Sequence, residues 1–416
     1  MAGHEIAPAS VFYSAGAIFD AVTPGLQYGV GLLVHEGRVV AVGKRESVCT
    51  PDTKYVDLGK CVVVPGFFDA HTHITIRPGE GDQHGQMQRP AAWQTVRGSA
   101  NLSAMLRSGV TTARIMTEEH DIDFLFKKAI ADRQIAGPRL RVAGRGLSPA
   151  GKHGGAVHGV EGPEELRKAV NINAQKGADH IKIFTTGGVS STNTSLEESN
   201  YSAEEIEAIV EAASSHGLTV SAHAHGGPGV DLAVNHGVHS IEHGALLTEA
   251  NVREIVRNNS WLVLTNTILF HPQGIEQGDA KEPLILQKVE QARESMSRVI
   301  QLVRSEGVRI ALGTDSMHGL FGYEMQWLTE HGFSTEEALL AATRNGAELA
   351  CVSDVGTLAP GSHADFVVLN GDPFSNISAV YDIDSVYRSG HQVVSPYGFV
   401  RPYSATTNNV FEENNQ

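Results

Sequence analysis

Between Cys61 and Ala350 the chain alternates short β-branched apolar runs with longer stretches whose apolar positions recur at helical spacing. The apolar runs are CVVVPGFFDAHTH, GVTTARIM, RLRVAGRG, DHIKIFTT, LTVSAHAH, HSIEHG, SWLVLTNT and VRIALGTDS, each of which predicts a strand. The intervening periodicity predicts helices over 93–107, 121–135, 163–175, 202–216, 229–236, 248–258, 284–305 and 335–350. Local chemistry supports these assignments. In YSAEEIEAIVEAASSHG, Ser202 stands at the N-cap, Glu205 completes a capping box and Gly217 marks the stop. Pro163 opens its helix at the first turn, where its missing N–H costs nothing. Eight strand–helix alternations predict a parallel (β/α)8 TIM barrel, an architecture of about 250 residues before insertions. An open doubly wound sheet is the alternative, but no GxGxxG opens the first βα unit.

The flanks carry a different pattern. Residues 1–60 read as short strands and turns, with HEGRVVAVG as a hairpin turning at Glu36-Gly37. After Ala350 the β-like pattern returns in GTLAPGSHADFVVLNGDP and DIDSVYRSGHQVV. Residues 1–60 and 351–405 are therefore expected to form one small β-sandwich beside a barrel spanning 61–350, with 406–416 a polar tail.

Composition narrows the function. The 416 residues are 41% hydrophobic and 19% charged, as expected of a folded domain with a full core. The formal charge of −15 disfavours nucleic-acid and anionic-membrane partners. The expected partners are a small-molecule substrate and further copies of the chain, as a homo-oligomer. Three scattered cysteines give neither a disulfide framework nor a cysteine zinc site. MAGHEIAPAS lacks the form of a signal peptide, and no apolar run approaches the roughly 20 residues of a membrane span. A cytoplasmic enzyme is expected.

In such a barrel the reactive groups project from the C-terminal ends of the strands. Strand one ends in His71-Thr72-His73, and residues two apart on a strand point the same way. Strand four carries Lys182, strand five ends in His223-Ala224-His225, strand six in His243 and strand eight in Asp315. Imidazole and carboxylate are donors that suit a Zn2+-like ion. Each residue also has an ordinary reading. Lys182 could snorkel at a boundary, His243 could close a strand and Asp315 could cap a helix. Their joint position at one end of successive strands gives the pattern its weight.

Together with VVVPGFFDAHTH, HSIEHG, LGTDS and GTLAPGSHADFVVLNGDP, this set resembles the metal-dependent amidohydrolase superfamily. The finer resemblance is to its imidazolonepropionase-like branch, which holds Xaa-Pro and Xaa-Arg dipeptidases and ochratoxin-hydrolysing amidases. It extends from about Ala15 to Val394. It implies a barrel flanked by a β-sandwich and a binuclear centre of two divalent ions, with zinc expected. His71, His73 and Asp315 resemble the ligands of the first ion, and His223 and His243 those of the second. Lys182 matches the lysine that takes up carbon dioxide, giving an N6-carboxylysine that bridges both. The implied mechanism is attack by a metal-bridging hydroxide, with Asp315 as general base and then acid. His153 and His225 match substrate-contacting positions, where His225 stands in place of a tyrosine of some members. His158 lies nearby, although a solvated loop histidine is its competing reading.

The expected reaction is hydrolysis of an amide-type C–N bond in a dipeptide, an N-acyl amino acid or an ochratoxin-like amide. Cyclic-amide or imidazolone hydrolysis and deamination compete, but those relatives use one metal and lack the bridging lysine. Carbamates, ureas and lactones fit the same ligands, and a non-catalytic protein would be expected to have lost some of them. Arg77, Arg89 and Phe270 are candidates to meet an acidic or aromatic part of the substrate. His236 and His239, at the wrong end of strand six, are expected to be structural, and Gly187-Gly188 is expected to let backbone pass close to the site.

Overall fold

The structure, a computed structural model, describes residues 10–154, 159–395 and 398–399. Eight parallel strands form the barrel: Phe67–Thr72, Val110–Ile115, Arg139–Val142, His180–Phe184, Thr219–Ala224, Ser240–His243, Trp261–Leu264 and Arg309–Leu312. The first three pair in one run and the last five in another. Two seams close the ring. Leu147, beyond the third strand, donates its N–H to Lys182 O at 2.8 Å and accepts from Phe184 N at 3.0 Å. Between the last strand and the first, Asp315 N reaches His71 O at 2.8 Å.

The run from Cys61 to His73, which reads as one strand, is two. Val62–Pro65 pairs antiparallel with Phe366–Leu369 and parallel with Ala17–Ile18, so it belongs to the terminal sheet. Gly66 breaks the run where a Cβ would sit 2.0 Å from Thr111 Oγ1. Strands from both ends of the chain thus share a seven-stranded sheet, faced by a four-stranded sheet of Val11–Ser14, Gly31–His35, Arg38–Gly43 and Lys54–Asp57. The period of two is visible in the packing. Val63, Phe366 and Val368 enter the core between the sheets, while Val62, Val64, Val367 and Leu369 face the barrel core. The hairpin turns at Glu36-Gly37 with both residues at positive φ (48° and 74°).

The helix expected over 163–175 is Pro163–Gln175, and Ser202 and Glu205 form their reciprocal capping box ahead of Ala203–Ser215. The helix expected over 335–350 is two, Thr335–Ala341 and Arg344–Leu349. The break has a tertiary cause, since Ala342 O accepts the Phe68 N–H of the first barrel strand at 2.7 Å. Phe321–Glu330 is a further helix that the periodicity reading did not assign; Gly319 and Gly322 dilute its pattern, although Phe321, Met325, Trp327 and Leu328 are buried. Among the described residues no helix is long and apolar enough to cross a membrane.

Candidate metal centre

Alternation along the strands sorts the barrel interior into layers. On strand five Val220, Ala222 and Ala224 pack outward in the main core, leaving Ser221, His223 and His225 on the inner face. On strand six the inner residue is Glu242, so regular alternation would turn His243 away. His243 instead adopts a left-handed backbone (φ 74°), as does Asp315 (φ 47°), and both side chains line the mouth. For residues other than glycine this conformation costs on the order of 1–2 kcal/mol, which surrounding contacts must offset.

One cavity at the C-terminal end of the strands brings together His71, His73, His153, Lys182, His223, His225, His243 and Asp315. Asp315 Oδ1 lies 3.5 Å from His71 Nε2 and 3.4 Å from His73 Nε2, and Oδ2 lies 3.9 Å from His243 Nδ1. Ligand atoms of His71, His243 and Asp315 all lie within 4.8 Å of one another, a spacing that could hold an ion. The ring of His223 is 4.6 Å from that of His243 and 4.5 Å from that of His153. His158 lies outside the described residues.

Hydrogen bonds fix which ring nitrogen each histidine presents. His71 Nδ1 meets Glu242 Oε2 at 2.8 Å and His73 Nδ1 meets Thr117 O at 3.1 Å, so each turns Nε2 toward Asp315. His223 Nε2 meets Gly187 O at 3.1 Å, leaving Nδ1, and His243 Nδ1 lies 2.7 Å from Thr265 Oγ1. Such outer partners are what orient metal-binding imidazoles. Burial works against charge on Asp315, but the hydrogen bond and charge of His71, then His73 and His243, hold its carboxyl well below the usual carboxylate range.

Two members have no hydrogen-bond partner among the described residues for their side-chain nitrogens. Lys182 Nζ is sealed from solvent without a hydrogen bond, and burial pushes its pKa down to about 8 against the opposing pull of Glu242 and Asp315. Both ring nitrogens of His225 are likewise buried and unbonded, and burial lowers its pKa to about 4. Buried polar atoms without hydrogen bonds are uncommon, and each calls for an explanation. An orphaned amine and imidazole beside a cluster of histidine and aspartate donors fit a divalent metal site.

A second ring of residues, not singled out from the sequence, supports this one. Glu242 joins His71 to Arg114 and Ser240. Asp69 accepts from Thr314 N at 3.0 Å and Thr314 Oγ1 at 2.6 Å, tying strand one to strand eight beneath Asp315. His84, on a short helix Gln83–Met87, lines the cavity with its ring 5.5 Å from that of His153. Lys288, from the helix Pro283–Ser305, reaches Ser191 O and Thr194 O at 2.5 Å each and secures the loop after strand four. That loop returns a 2.8 Å contact from Ser191 Oγ to His153 Nδ1. Charged residues inside apolar strands, the signal that marks Lys182, also mark Asp69, Arg114 and Glu242.

Some expectations move. Arg77 is spent on Asn101 and Glu80, Arg89 stacks over Trp93, and Phe270 packs on Trp327, so none of the three lines the cavity. Its apolar wall comes instead from Ile76, Met87, Val189, Ile268 and Leu269. His236 pairs with Glu207 and His239 with Leu349 O, both structural as expected. Gly188 allows close approach of backbone to His153, whose ring would be 2.4 Å from an added Cβ.

Residues 62–393 match the model of the amidohydrolase family. Ochratoxinase of Aspergillus niger is 28% identical over 373 residues, covering 80% of this chain and 76% of its own. Imidazolonepropionase of Deinococcus radiodurans is 25% identical over 397 residues, covering 87% and 91%. The crystal structure of a Xaa-Pro dipeptidase with methionine bound in its active site superposes with a TM-score of 0.83 at 25% identity, covering 92% of this chain and 99% of that one. The chain is a member of the amidohydrolase family, on its imidazolonepropionase-like branch, and a hydrolase acting on C–N bonds.

Proposed function

We propose that the centre is binuclear and cleaves the amide bond of a dipeptide or N-acyl amino acid. His71, His73 and Asp315 would hold one divalent ion, His223 and His243 the other, and Lys182, carboxylated on its amine, would join the two. The observation that carries this reading is the buried amine of Lys182, which has no hydrogen-bond partner among the described residues. A depressed pKa leaves a useful fraction of the amine neutral near physiological pH. The neutral amine adds carbon dioxide, forming an N–C bond and releasing one proton, and the product is an anion where the side chain had been a cation. Zinc is the expected metal, given imidazole and carboxylate donors.

When bound, the ions supply a Lewis acid for the scissile carbonyl and acidify the attacking water. Asp315, ionised by its histidine neighbours, takes the proton from that water and passes it to the departing nitrogen. His225, with both nitrogens unspent, is placed to donate a hydrogen bond to the substrate carbonyl or carboxylate. His153, held by Ser191, and the apolar wall orient the rest of the substrate. Ochratoxinase and Xaa-Pro dipeptidase among the relatives support an amide or peptide substrate.

The test is a library of N-acyl amino acids and dipeptides offered to zinc-loaded protein, with metal counted by elemental analysis. About two equivalents per chain are expected, since six ligand positions exceed what one tetrahedral ion needs. One equivalent with activity on cyclic amides would overturn the binuclear reading in favour of the imidazolone-type one. Asp315→Asn should lose about a hundredfold or more of turnover while keeping part of its metal, because an amide coordinates weakly but accepts no proton.

A further inference from the structure

At the opposite end of the barrel the described residues enclose a cleft of about 740 Å³, between the starts of strands two and three, the helix Ile122–Ala131 and the edge of the terminal sheet. This size is typical of small-molecule sites. In a chain of formal charge −15 its lining is basic, with Lys127, Arg133, Arg139, Arg141 and Arg388 on its walls.

The carboxylates nearby do not balance these cations. Asp179 is shared by Lys127 at 2.7 Å and Arg141 at 3.0 Å. Asp365 takes Arg139 at 2.9 Å and also accepts from Ser389 N at 2.6 Å. Asp354, at the rim, is engaged by Arg38 at 3.0 Å and by His363 at 3.4 Å. Arg388 has only a carbonyl, Gly137 O at 2.6 Å, and Arg133 has no ion pair among the described residues. The Nε of Arg141 is buried without any partner. Burial, then the charge of Arg139, with Arg133 adding to it and Asp365 opposing, pushes Arg388 down to about 10. Guanidinium groups crowded together with donors to spare are placed for a planar or tetrahedral anion.

We propose that this cleft binds a small organic molecule bearing two or more negative charges, a phosphate ester or a polycarboxylate, bridging Arg133 and Arg141 on the barrel to Arg388 on the terminal sheet. Apolar side chains of Ile130, Ile135 and Val352 offer a surface for its carbon skeleton. A ligand spanning these elements braces the sheet against the barrel and stabilises the fold by mass action. The site shares no residue with the metal centre and does not depend on how that centre is read.

The experiment is calorimetric titration of zinc-loaded protein with fructose bisphosphate in one arm and tricarballylate in the other, each against sodium chloride at equal ionic strength. Saturable binding in at least one arm is expected, with a raised melting temperature, and the tighter arm identifies the anion class. Arg388→Met should weaken that binding about tenfold or more while hydrolysis persists. Arg133→Met, at an exposed position, provides a second variant whose folding is not in question and should act in the same direction. Heats no larger than those of chloride would overturn the proposal. So would undiminished affinity in both arginine variants, or binding that disappears once a chelator has removed the zinc, which would assign it to the metal centre.

Discussion

Arg114 and Lys182 are both sealed inside the barrel, at 2% and 1% exposure. Arg114 is fully engaged. Its Nε reaches Ala70 O at 2.8 Å and its Nη atoms reach Glu242 and Ser240. His180 in the same layer is bonded on both ring nitrogens, to Ile115 O at 3.1 Å and Ser221 Oγ at 3.3 Å. The amine of Lys182 has no hydrogen-bond partner among the described residues, and neither have the ring nitrogens of His225. Burial alone therefore does not identify the working groups. Arg114, with its hydrogen bonds complete, holds the barrel together, whereas the incomplete amine of Lys182 faces the cavity where a ligand can enter.

Replacing each cation tests that distinction. Lys182→Ala should lower turnover by about a thousandfold, the scale of removing a group that organises transition-state charge, and metal content should fall with it. Acetate or propionate with excess zinc should restore part of the activity, and chloride at equal ionic strength should not. Full activity in Lys182→Ala without added anion would remove the bridging role. Arg114→Met should act on the fold instead, because it leaves the buried carboxylate of Glu242 without its guanidinium, at a cost of about 3–5 kcal/mol. A melting temperature unchanged by Arg114→Met would erase the contrast between the two layers.

The pH dependence sharpens the comparison. With the Lys182 pKa near 8 in the metal-free protein, the neutral amine rises from ~3% at pH 6.5 to ~90% at pH 9. Reactivation by zinc at a constant concentration of dissolved carbon dioxide should accelerate about thirtyfold over that interval, as only the neutral amine adds carbon dioxide. The sign for stability is the same. Between about 8 and 10.5 the unfolded chain holds a proton on this lysine that the folded chain has shed, so the metal-free fold gains stability as pH rises. A reactivation rate flat across this range would show that Lys182 is not the group being loaded. The smallest effect is expected from Lys288→Met, which frees the loop that holds Ser191 against His153. KM should rise about threefold to tenfold with kcat changed less, because the loop orients substrate rather than the attacking water. A fall in kcat alone would point to a different role for that loop.

Much of the centre could be read from strand ends. His71, His73, Lys182, His223, His243 and Asp315 lie where a parallel barrel exposes its chemistry, and alternation accounts for His223 and His225 sharing a face. Alternation fails at His243, since its neighbour Glu242 occupies the inner face and only a left-handed backbone brings both inward. It also fails at the run Cys61–His73, where the pairing partners of Val62–Pro65 come from both termini. The helix break after Ala341 was equally illegible, because the group that claims Ala342 O is Phe68 N, from the first barrel strand, more than 270 positions earlier in the chain.

The sequence by itself determined the order of strands and helices, their caps and turns, and which side chains stand at each strand end. These follow from interactions within a few residues: the periods of side-chain direction, the hydroxyl of Ser202 on its own helix, the positive φ at Glu36-Gly37. The tertiary structure decided which ring nitrogen each histidine presents, that Arg77, Arg89 and Phe270 stay outside the cavity, and that Lys182 has no hydrogen-bond partner among the described residues while Arg114 has several. It also brought Arg133 and Arg141 to the same cleft as Arg388. Whether a buried polar group is satisfied depends on atoms delivered by distant segments, and a one-dimensional pattern records what each segment carries but not what it meets.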